Sequence, residues 1–218
     1  MDTLLGENSP PALLREIQKR HFGSGAFVLH LGVRADTLPR NLSDHHQIIT
    51  SMDSELGEGR SIFLSMSPEW DASRAPAGYR AVTVSTHSAV CQWWALLEHD
   101  KEAYYAQKAE YTERILKTIE YVISGFRRSI TLTLPGTPVT YNFYTGRHLG
   151  MVGGFPQASL FAARGPRTGI DNVRLVGDSV FPGQSTAGVT FGALRVVNDV
   201  QRALKVRRLE STQKVQAQ

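Results

Sequence analysis

One stretch of the chain decides its fold: Asn172-Val173-Arg174-Leu175-Val176-Gly177-Asp178-Ser179-Val180-Phe181-Pro182-Gly183-Gln184-Ser185-Thr186-Ala187-Gly188-Val189. Residues 171–178 contain a short apolar run with a sharp end, which predicts a strand. Pro182-Gly183 then predicts a turn. From Thr186 to Leu204, apolar residues recur at helical spacing, at Val189, Ala193, Val196, Val197, Val200 and Leu204. The order strand, loop and helix is typical of a ligand-binding edge in α/β folds.

Individual residues of this stretch suit the recognition of a polar ligand. Gly177 permits close approach of the backbone, and Asp178 offers an acceptor for the hydroxyl groups of a polyol. Thr186, Ala187 and Gly188 begin the helix, where free N–H groups and the positive end of the dipole can face an electron-rich atom. A Gly-Asp pair by itself is more often a turn or a cap. The complete string is therefore the informative feature.

The complete string resembles the C-terminal FAD motif of the phytoene desaturase and carotenoid isomerase family, within the flavin amine oxidase superfamily. The resemblance is specific from about Thr137 to Ala203, and the glycine-rich segment 150–156 resembles the family's crossing between lobes. The resemblance implies that FAD is the cofactor. It implies that Asp178, which follows Gly177, forms hydrogen bonds with the ribityl chain of FAD. It also implies that backbone groups meet the flavin ring near Thr186, Ala187, Gly188 and Val189.

The family's other cofactor signature does not occur in this sequence. Family members open with a strand and a G-x-G-x-x-G turn that binds the FAD pyrophosphate, and none of the 218 residues belongs to such a motif. The chain is therefore interpreted as a fragment of a longer enzyme, a split gene product with a separately encoded N-terminal half, or a degenerate relative. We expect such a piece to leave apolar sheet and helix surface uncovered.

The resemblance implies a mixed α/β fold, the C-terminal portion of a two-lobed oxidoreductase with an FAD/NAD(P)-binding fold. Residues 1–150 are predicted to form a partial, mixed-sheet substrate-binding lobe. Residues 151–218 are predicted to supply the closing strand and helix of the FAD-binding lobe. The implied function is FAD-dependent desaturation or isomerisation of a long apolar polyene. Two alternatives stay open, a non-catalytic truncated relative and an amine-oxidase-type flavoenzyme with a different substrate.

The remaining secondary structure is predicted from apolar periodicity and from glycine and proline positions. A helix is predicted to start at Ser9-Pro10-Pro11, with Ser9 as its N-cap. A second helix is predicted over residues 100–124, capped by Asp100 and stopped by Gly125. Strands are predicted at residues 26–33, 60–66, 79–86 and 129–134, with the second and third as an antiparallel pair.

Histidine and cysteine usage indicates neither a metal site nor a disulfide. Residues 34–59 are polar and irregular, which predicts a loop, and the adjacent His45 and His46 lack a spaced third ligand. Cys91 is the single cysteine, so an internal disulfide is excluded. Its neighbours Val90 and Trp93 predict a buried thiol.

Composition excludes several other classes of protein. The 24 Lys and Arg residues against 20 Asp and Glu give a net charge of +4, and the basic residues of 202–208 form no recognisable module, so no nucleic-acid partner is predicted. The N-terminus lacks the features of a signal peptide, and no run of about 20 apolar residues predicts a membrane span. A cytoplasmic setting is expected, with peripheral contact between 202–208 and anionic lipid left open.

Two interpretations of the aromatic residues stay open. An apolar substrate tunnel or an ordinary core would each explain Tyr141, Phe143, Tyr144, Phe155 and Phe161. For Trp93-Trp94, core packing is favoured over a tunnel wall or a membrane-facing surface. His148 lies beside the glycine-rich segment, but no residue is assigned a catalytic role.

Overall fold

The computed structural model of the chain describes residues 5–19, 23–53, 56–154 and 163–216, with side chains as far as residue 205. The strands are β1 (Gly25–Arg34), β2 (His45–Ile49), β3 (Ser61–Met66), β4 (Tyr79–Ser88) and β5 (Ile130–Gly136). The helices are α1 (Pro11–Lys19), α2 (Val90–His99), α3 (Lys101–Val122), α4 (Phe126–Ser129), α5 (Pro138–Thr145) and α6 (Thr186–Gln216). Single 3-10 turns cover Gly6–Asn8, Ala35–Thr37 and His148–Gly150.

The chain divides into two compact units. One comprises residues 24–152 and contains the sheet, and the other comprises residues 1–23 with 153–218 and contains α1 and α6. The predicted mixed α/β fold is confirmed at this level. The assignment of 1–150 to a substrate-binding lobe and of 151–218 to an FAD-binding lobe stays a prediction. No helix within the described residues is both long and apolar enough to span a bilayer.

The five strands form one antiparallel sheet in the order β2-β3-β4-β1-β5. The prediction of a mixed sheet for residues 1–150 is therefore wrong within the described residues, because every strand pair there is antiparallel. The predicted strands at 26–33, 60–66 and 79–86 are confirmed, as is the antiparallel pairing of the last two, in which Leu64 lies opposite Val84. Alternate residues of β4 are buried and exposed along its whole length, because successive side chains point to opposite faces of the sheet. One face of the sheet therefore provides the core.

The core lies between this inner face of the sheet and the helices α2 and α3. Phe27 of β1 is fully buried, with its ring centroid 5.5 Å from that of Trp93 and 4.5 Å from that of Tyr111. The core interpretation of Trp93 is thereby confirmed. Truncation of a core aromatic such as Phe27 to alanine would cost about 3–5 kcal/mol of stability.

A polar network connects this core to the turn before β3. The Tyr111 hydroxyl donates to Glu58 Oε2 at 2.8 Å, and the Ala89 amide donates to the other carboxylate oxygen. Trp93 Nε1 donates to Ser88 Oγ at 2.7 Å. Burial, together with the Glu58 carboxylate, raises the pKa of Tyr111 well above its ordinary value. The Glu58 carboxylate thus connects its turn to the helix layer, because loss of either hydrogen bond would leave a buried polar group without a partner at a cost in stability.

The predicted helix over residues 100–124 is confirmed as α3. Asp100 is its N-cap, since the carboxylate accepts a hydrogen bond from the Ala103 amide at 2.9 Å. Gly125, the predicted stop, has a left-handed φ of 81°, and its amide donates to the Glu120 side chain at 2.8 Å. The cap and the stop were therefore both readable from the sequence.

The prediction of an uninterrupted loop over residues 34–59 is wrong, because His45–Ile49 forms the edge strand β2. Only Ile48 is buried in this strand, so its polar sequence carries little apolar alternation. Backbone hydrogen bonds to β3 stabilise it instead. His46 Nε2 lies 2.8 Å from the Ser43 carbonyl oxygen and His45 stacks on Phe63, so the two imidazoles have separate partners.

The buried thiol predicted at Cys91 is also wrong, since Cys91 is exposed. The segment forms α2, in which Val90 and Trp93 face the core. A residue between two core positions of a helix is rotated by about 100° per step, which places Cys91 on the outer side. Apolar sequence neighbours predict burial only when the type of secondary structure is known.

Two helix starts differ from the expectation. Ser9 is not the N-cap of α1, because the Leu14 amide donates to the Pro10 carbonyl and places the cap one residue later. The segment after Thr137 forms α5, which begins with a capping box between Thr137 and Thr140 and a proline in its first turn. Ser129 belongs to α4, and the predicted strand over 129–134 runs instead from Ile130 to Gly136.

Candidate functional site

The segment that was predicted as a strand before Gly177 is an extended loop. Residue Arg174 makes one isolated bridge with Arg167, and the Leu175 amide donates to the Pro166 carbonyl at 2.8 Å. The strand prediction for residues 171–178 is therefore wrong within the described part of the chain. A β-strand needs a ladder of backbone hydrogen bonds to a neighbouring strand. This segment makes only the one isolated bridge between Arg167 and Arg174 among the described residues.

Gly177 and Asp178 follow this loop in a conformation that requires the glycine. Gly177 has a φ of 122°, which side-chain-bearing residues rarely adopt, and a methyl group built on it would meet nothing within 4 Å. Open space therefore borders the backbone at Gly177. Asp178 follows it directly in the chain and is half-buried.

Two close backbone contacts shape the loop between Asp178 and α6. A methyl group on Gly183 would lie 2.6 Å from the Asp178 carbonyl oxygen, and one on Gly188 would lie 2.0 Å from the Gly183 carbonyl oxygen. Such distances exclude any side chain at either residue without movement of the backbone. The glycines thus connect Asp178 through Gly183 to the first turn of the helix.

A second pair of glycines packs against the same loop. A methyl group on Gly154 would meet Ser179 Oγ at 2.2 Å, and one on Gly153 would meet the Gln184 side chain at 2.9 Å. The glycine-rich segment 150–156 is described only as far as Gly154, and Phe155 and Pro156 lie outside the described residues. Its described end borders the loop that follows Asp178, a proximity that the sequence did not indicate.

Ser185 caps the helix α6. Its Oγ accepts a hydrogen bond from the Gly188 amide at 2.9 Å, and its carbonyl accepts one from the Val189 amide, also at 2.9 Å. Of the four residues predicted to offer backbone groups, Gly188 and Val189 thus use their amides inside the helix. The amides of Thr186 and Ala187, both in the exposed first turn, remain as the helix-terminal donors. The preference of serine for the N-cap is the signal that could have identified Ser185.

An ion-pair cluster attaches the extended loop to the helix. Asp199 of α6 accepts hydrogen bonds from Arg174 Nε at 2.8 Å and from Arg167 at 3.0 Å. These bonds, that of Arg174 first, lower the pKa of Asp199 below its ordinary value. Arg164 pairs with Glu16 of α1 in the same unit. Loop and helix are thereby held by charge as well as by glycine packing.

The apolar face predicted for the last helix is only partly covered. Val189, Ala193 and Val196 are half-buried. Other large apolar side chains of α6 are exposed, namely Phe191, Leu194, Val197, Val200 and Leu204. The expectation of uncovered apolar helix surface is confirmed for the described residues. Arg202 and Lys205 are exposed, whereas the side chains of Arg207 and Arg208 lie outside the described part.

The aromatic candidates divide into three groups. Tyr141 is half-buried, with its hydroxyl 3.2 Å from His30 Nε2. Phe143 and Tyr144 are 80% and 78% exposed, so the core interpretation is wrong for both. Trp94 is half-buried and donates from Nε1 to the Leu149 carbonyl oxygen at 3.1 Å. Phe161, like Phe155, lies outside the described residues, and the tunnel interpretation stays a prediction.

His148 lies in a short turn of the described chain. His148 begins the 3-10 turn before Met151, in the unit that contains the sheet. Within the described part of the chain, no group of three or more His, Cys, Asp or Glu residues could hold a metal ion. The candidate site therefore consists of Gly177, Asp178 and the capped first turn of α6.

Comparison with known proteins identifies relatives along most of the chain, although no protein-family model matches it. A chloroplastic prolycopene isomerase of Daucus carota is 31% identical over 204 residues, which is 90% of this chain and 32% of that protein. Its Arabidopsis thaliana counterpart is 32% identical over 217 residues, 95% of this chain and 36% of that protein. Prolycopene isomerase 1 of an Oncidium hybrid cultivar is 29% identical over 211 residues. The chain thus spans about a third of the length of these relatives, and the similarity supports a carotenoid isomerase- and desaturase-like family for it.

Proposed function

We propose that this chain is the C-terminal part of an FAD-dependent oxidoreductase that acts on a long apolar polyene. The observation that carries the proposal is the similarity to prolycopene isomerases along about nine-tenths of the chain. The geometry of the loop from Gly177 to Val189 adds a place where one end of the cofactor would bind. Because the chain spans about a third of its relatives, we propose that it works as a part of a longer or two-piece enzyme.

The residues at the loop fit a flavin in three respects. Open space borders the backbone at Gly177, so a ligand can approach it closely. The carboxylate of Asp178, the next residue in the chain, would be an acceptor for the ribityl hydroxyl groups. The Thr186 and Ala187 amides form the positive end of the α6 dipole, which favours an electron-rich ring edge. Bound there, the flavin would supply the redox chemistry, and the protein would supply orientation and electrostatics.

The protein residues have simple roles in this proposal. Asp178 binds and orients through hydrogen bonds and transfers no proton to the substrate. The glycine contacts at Gly183 and Gly188 hold Asp178 and the α6 terminus at a fixed separation, as preorganised sites require. The Thr186 and Ala187 amides would donate hydrogen bonds to an electron-rich edge of the bound flavin. The choice between isomerisation and desaturation depends on the shape of the substrate channel.

A titration with FAD tests the proposal. The purified chain is mixed with FAD, alone and with a separately expressed polypeptide that carries a G-x-G-x-x-G unit, and bound flavin is followed by absorbance and fluorescence quenching. We expect a bound-flavin spectrum in the mixture that Asp178→Ala weakens by about 10- to 100-fold, the worth of a hydrogen bond to a charged group. Asp171→Ala, an exposed carboxylate of the same loop, is the matched control and should change nothing.

Two results would contradict the proposal. One is that neither the chain nor the mixture ever shows bound flavin. The other is that Asp178→Ala and Asp171→Ala bind flavin equally well, which would leave flavin binding without a role for Asp178.

A further inference from the structure

A pocket lies at the end of the sheet where β1 and β3 finish and where β2 and β4 begin. It is formed by the 3-10 turn after β1, the loop that leads to β2 and the turn that follows β3. Its volume is about 580 Å³, within the range of about 300–1,000 Å³ that is typical of small-molecule sites. We call it the end pocket, and it belongs to the unit that contains the sheet. Its lining includes Leu38, Arg40, Asp44, Glu69, Trp70 and Arg80.

A buried guanidinium group lines the end pocket. The Arg80 side chain is only 5% exposed. Its Nε donates to the Ser67 carbonyl oxygen at 2.7 Å, and its Nη2 donates to the Asp44 carboxylate. The other terminal nitrogen, Nη1, makes no hydrogen bond with the described residues. Since a buried charged donor is costly to leave without an acceptor, Nη1 is the group that an incoming oxyanion would meet.

The Glu69 carboxylate is the group that would compete with such a ligand. Its Oε1 lies 3.9 Å from Arg80 Nη1, which is beyond hydrogen-bond distance, and its side chain is 81% exposed. Exposed ion pairs contribute little to stability. A ligand oxyanion that reaches bonding distance therefore displaces Glu69 at little cost.

The other charges around the end pocket favour an anion once this exposed carboxylate has moved away. Asp36 accepts a hydrogen bond from Arg34 at 3.2 Å, and Asp44 is bonded to Arg80. Arg40 is exposed and has no side-chain partner among the described residues. Each of the two aspartates thus has its own arginine, and Arg40 remains as a further cation.

The rest of the lining suits a flat apolar group. The Trp70 side chain is 84% exposed at the pocket, so the face of its indole ring is accessible for stacking. Leu38 and Leu42, which also line the pocket, are half-buried and pack against the core. A ligand that places an oxyanion on Arg80 can therefore cover apolar surface with the remainder of the molecule.

We propose that the end pocket binds a small molecule that carries an oxyanion, a carboxylate or a phosphate group, on a flat apolar ring. Arg80 Nη1 binds the oxyanion, Trp70 stacks on the ring, and Glu69 is the group that the ligand displaces. The planar guanidinium suits either oxyanion, because its donors match the geometry of both. The proposal goes beyond the proposed function, since this site needs neither flavin nor polyene.

The binding test uses the full chain without FAD, with benzoate as the probe. Ligand-detected NMR measures the affinity at low salt, where charge interactions are screened least. We expect saturable binding, which Arg80→Lys weakens by about tenfold or more, because an ammonium group can keep the pair with Asp44 but lacks the planar fork. Trp70→Ala should weaken benzoate binding by about three- to tenfold and leave the affinity for acetate, which has no ring, unchanged.

Glu69→Gln should produce a gain that a purely structural role would not. Removal of the competing charge should strengthen benzoate binding by about two- to fivefold, the worth of an exposed ion pair. Glu98→Gln is the matched control, since Glu98 is an exposed carboxylate of α2 that does not line the pocket. Arg40→Gln should weaken binding by about two- to fivefold, with the exposed Arg128→Gln as its control.

Competition distinguishes the two kinds of oxyanion. Stronger displacement of benzoate by inorganic phosphate than by acetate would identify a phosphate site, and the reverse order would identify a carboxylate site. Either order supports the proposal. Equal displacement by sodium chloride at the same ionic strength would overturn it, because the binding would then be general charge attraction.

Three further results would overturn the proposal. These are no saturable binding of benzoate to the wild-type chain, unchanged affinity in Arg80→Lys, and equal affinity in Glu69→Gln and Glu98→Gln. If Arg80→Lys fails to fold, as judged by circular dichroism, the comparison of Glu69→Gln with Glu98→Gln decides. Flavin binding is tested separately through Asp178→Ala, so a failure of this inference and a failure of the proposed function can be told apart.

Discussion

The substitution Gly188→Ala tests whether backbone packing holds the loop against α6. A methyl group at Gly188 would lie 2.0 Å from the Gly183 carbonyl oxygen, whereas ordinary contact begins at 3.4 Å. The two backbone segments therefore have to separate by the difference of these distances, 1.4 Å. Alanine favours a helix over glycine by up to about 1 kcal/mol, but overpacking of this kind costs about 1–3 kcal/mol. Since the obstacle is backbone, we expect a net loss of about 1–2 kcal/mol.

Gly192→Ala is the matched control in the same helix. The nearest atoms to a methyl group there, the Phe181 carbonyl oxygen and Pro182 Cδ, lie at 3.8 and 3.9 Å, which is ordinary contact. Only the gain in helix propensity remains, so we expect stabilisation of about 0.5–1 kcal/mol.

Hydrogen–deuterium exchange of the peptide that covers the start of α6 measures both effects. For Gly188→Ala, we expect exchange of the Val189 amide, which donates to Ser185, to accelerate by about 5- to 30-fold, as a loss of 1–2 kcal/mol implies. For Gly192→Ala, we expect slower exchange. Equal or slower exchange in Gly188→Ala would refute the reasoning, because the Gly183–Gly188 contact would then not constrain the loop.

Three further predictions concern stability. Asp100→Ala should lower the free energy of unfolding by about 1 kcal/mol, seen as a lower urea midpoint, because the N-cap of α3 is lost; an unchanged midpoint would contradict the cap. The raised pKa of Tyr111 means that the folded chain keeps a proton that the unfolded chain loses, so stability should fall as pH rises above 10.0. Tyr111→Phe should flatten this alkaline loss in melting temperatures, and an equally steep loss would point to another group. The lowered pKa of Asp199 acts in the opposite direction, with stability present above pH 3.8 and lost as pH falls below it. Asp199→Asn should make the acid loss of melting temperature less steep, although Asp71 and Glu120, whose pKa values are also lowered, keep part of it. An equally steep acid loss in Asp199→Asn would argue against the Arg174 pair.

Local patterns predicted the elements that carry their own apolar period or cap. The strand at 26–33 and the helix that follows Asp100 were readable because alternation and capping act within a few residues. The edge strand at His45–Ile49 was not readable, since its polar residues gain their hydrogen bonds from β3. The helix after Thr137 is built from β-branched and aromatic residues, whose low helix propensity conceals it.

The candidate site shows the same division. The sequence indicated Gly177, Asp178 and the helix start because glycine, acid and small residues stand there in a specific order. It misled on the preceding strand, because pairing depends on a neighbour that no local pattern names. It was silent on Ser185 as the cap and on the packing of Gly153 and Gly154 against the loop, since contacts between distant residues arise only on folding.

The sequence by itself determined the family resemblance, the mixed α/β class and the position of the loop that would meet a cofactor. These properties depend on residue types at short range, where backbone preference and spacing act directly. Only the tertiary structure decided that the Gly188 and Val189 amides bond to Ser185, how closely Gly183 and Gly188 approach, and that Gly32 and Ala81 lie side by side. Such features depend on hydrogen bonds and steric contacts between segments that are separated along the chain, and a linear pattern does not encode those distances.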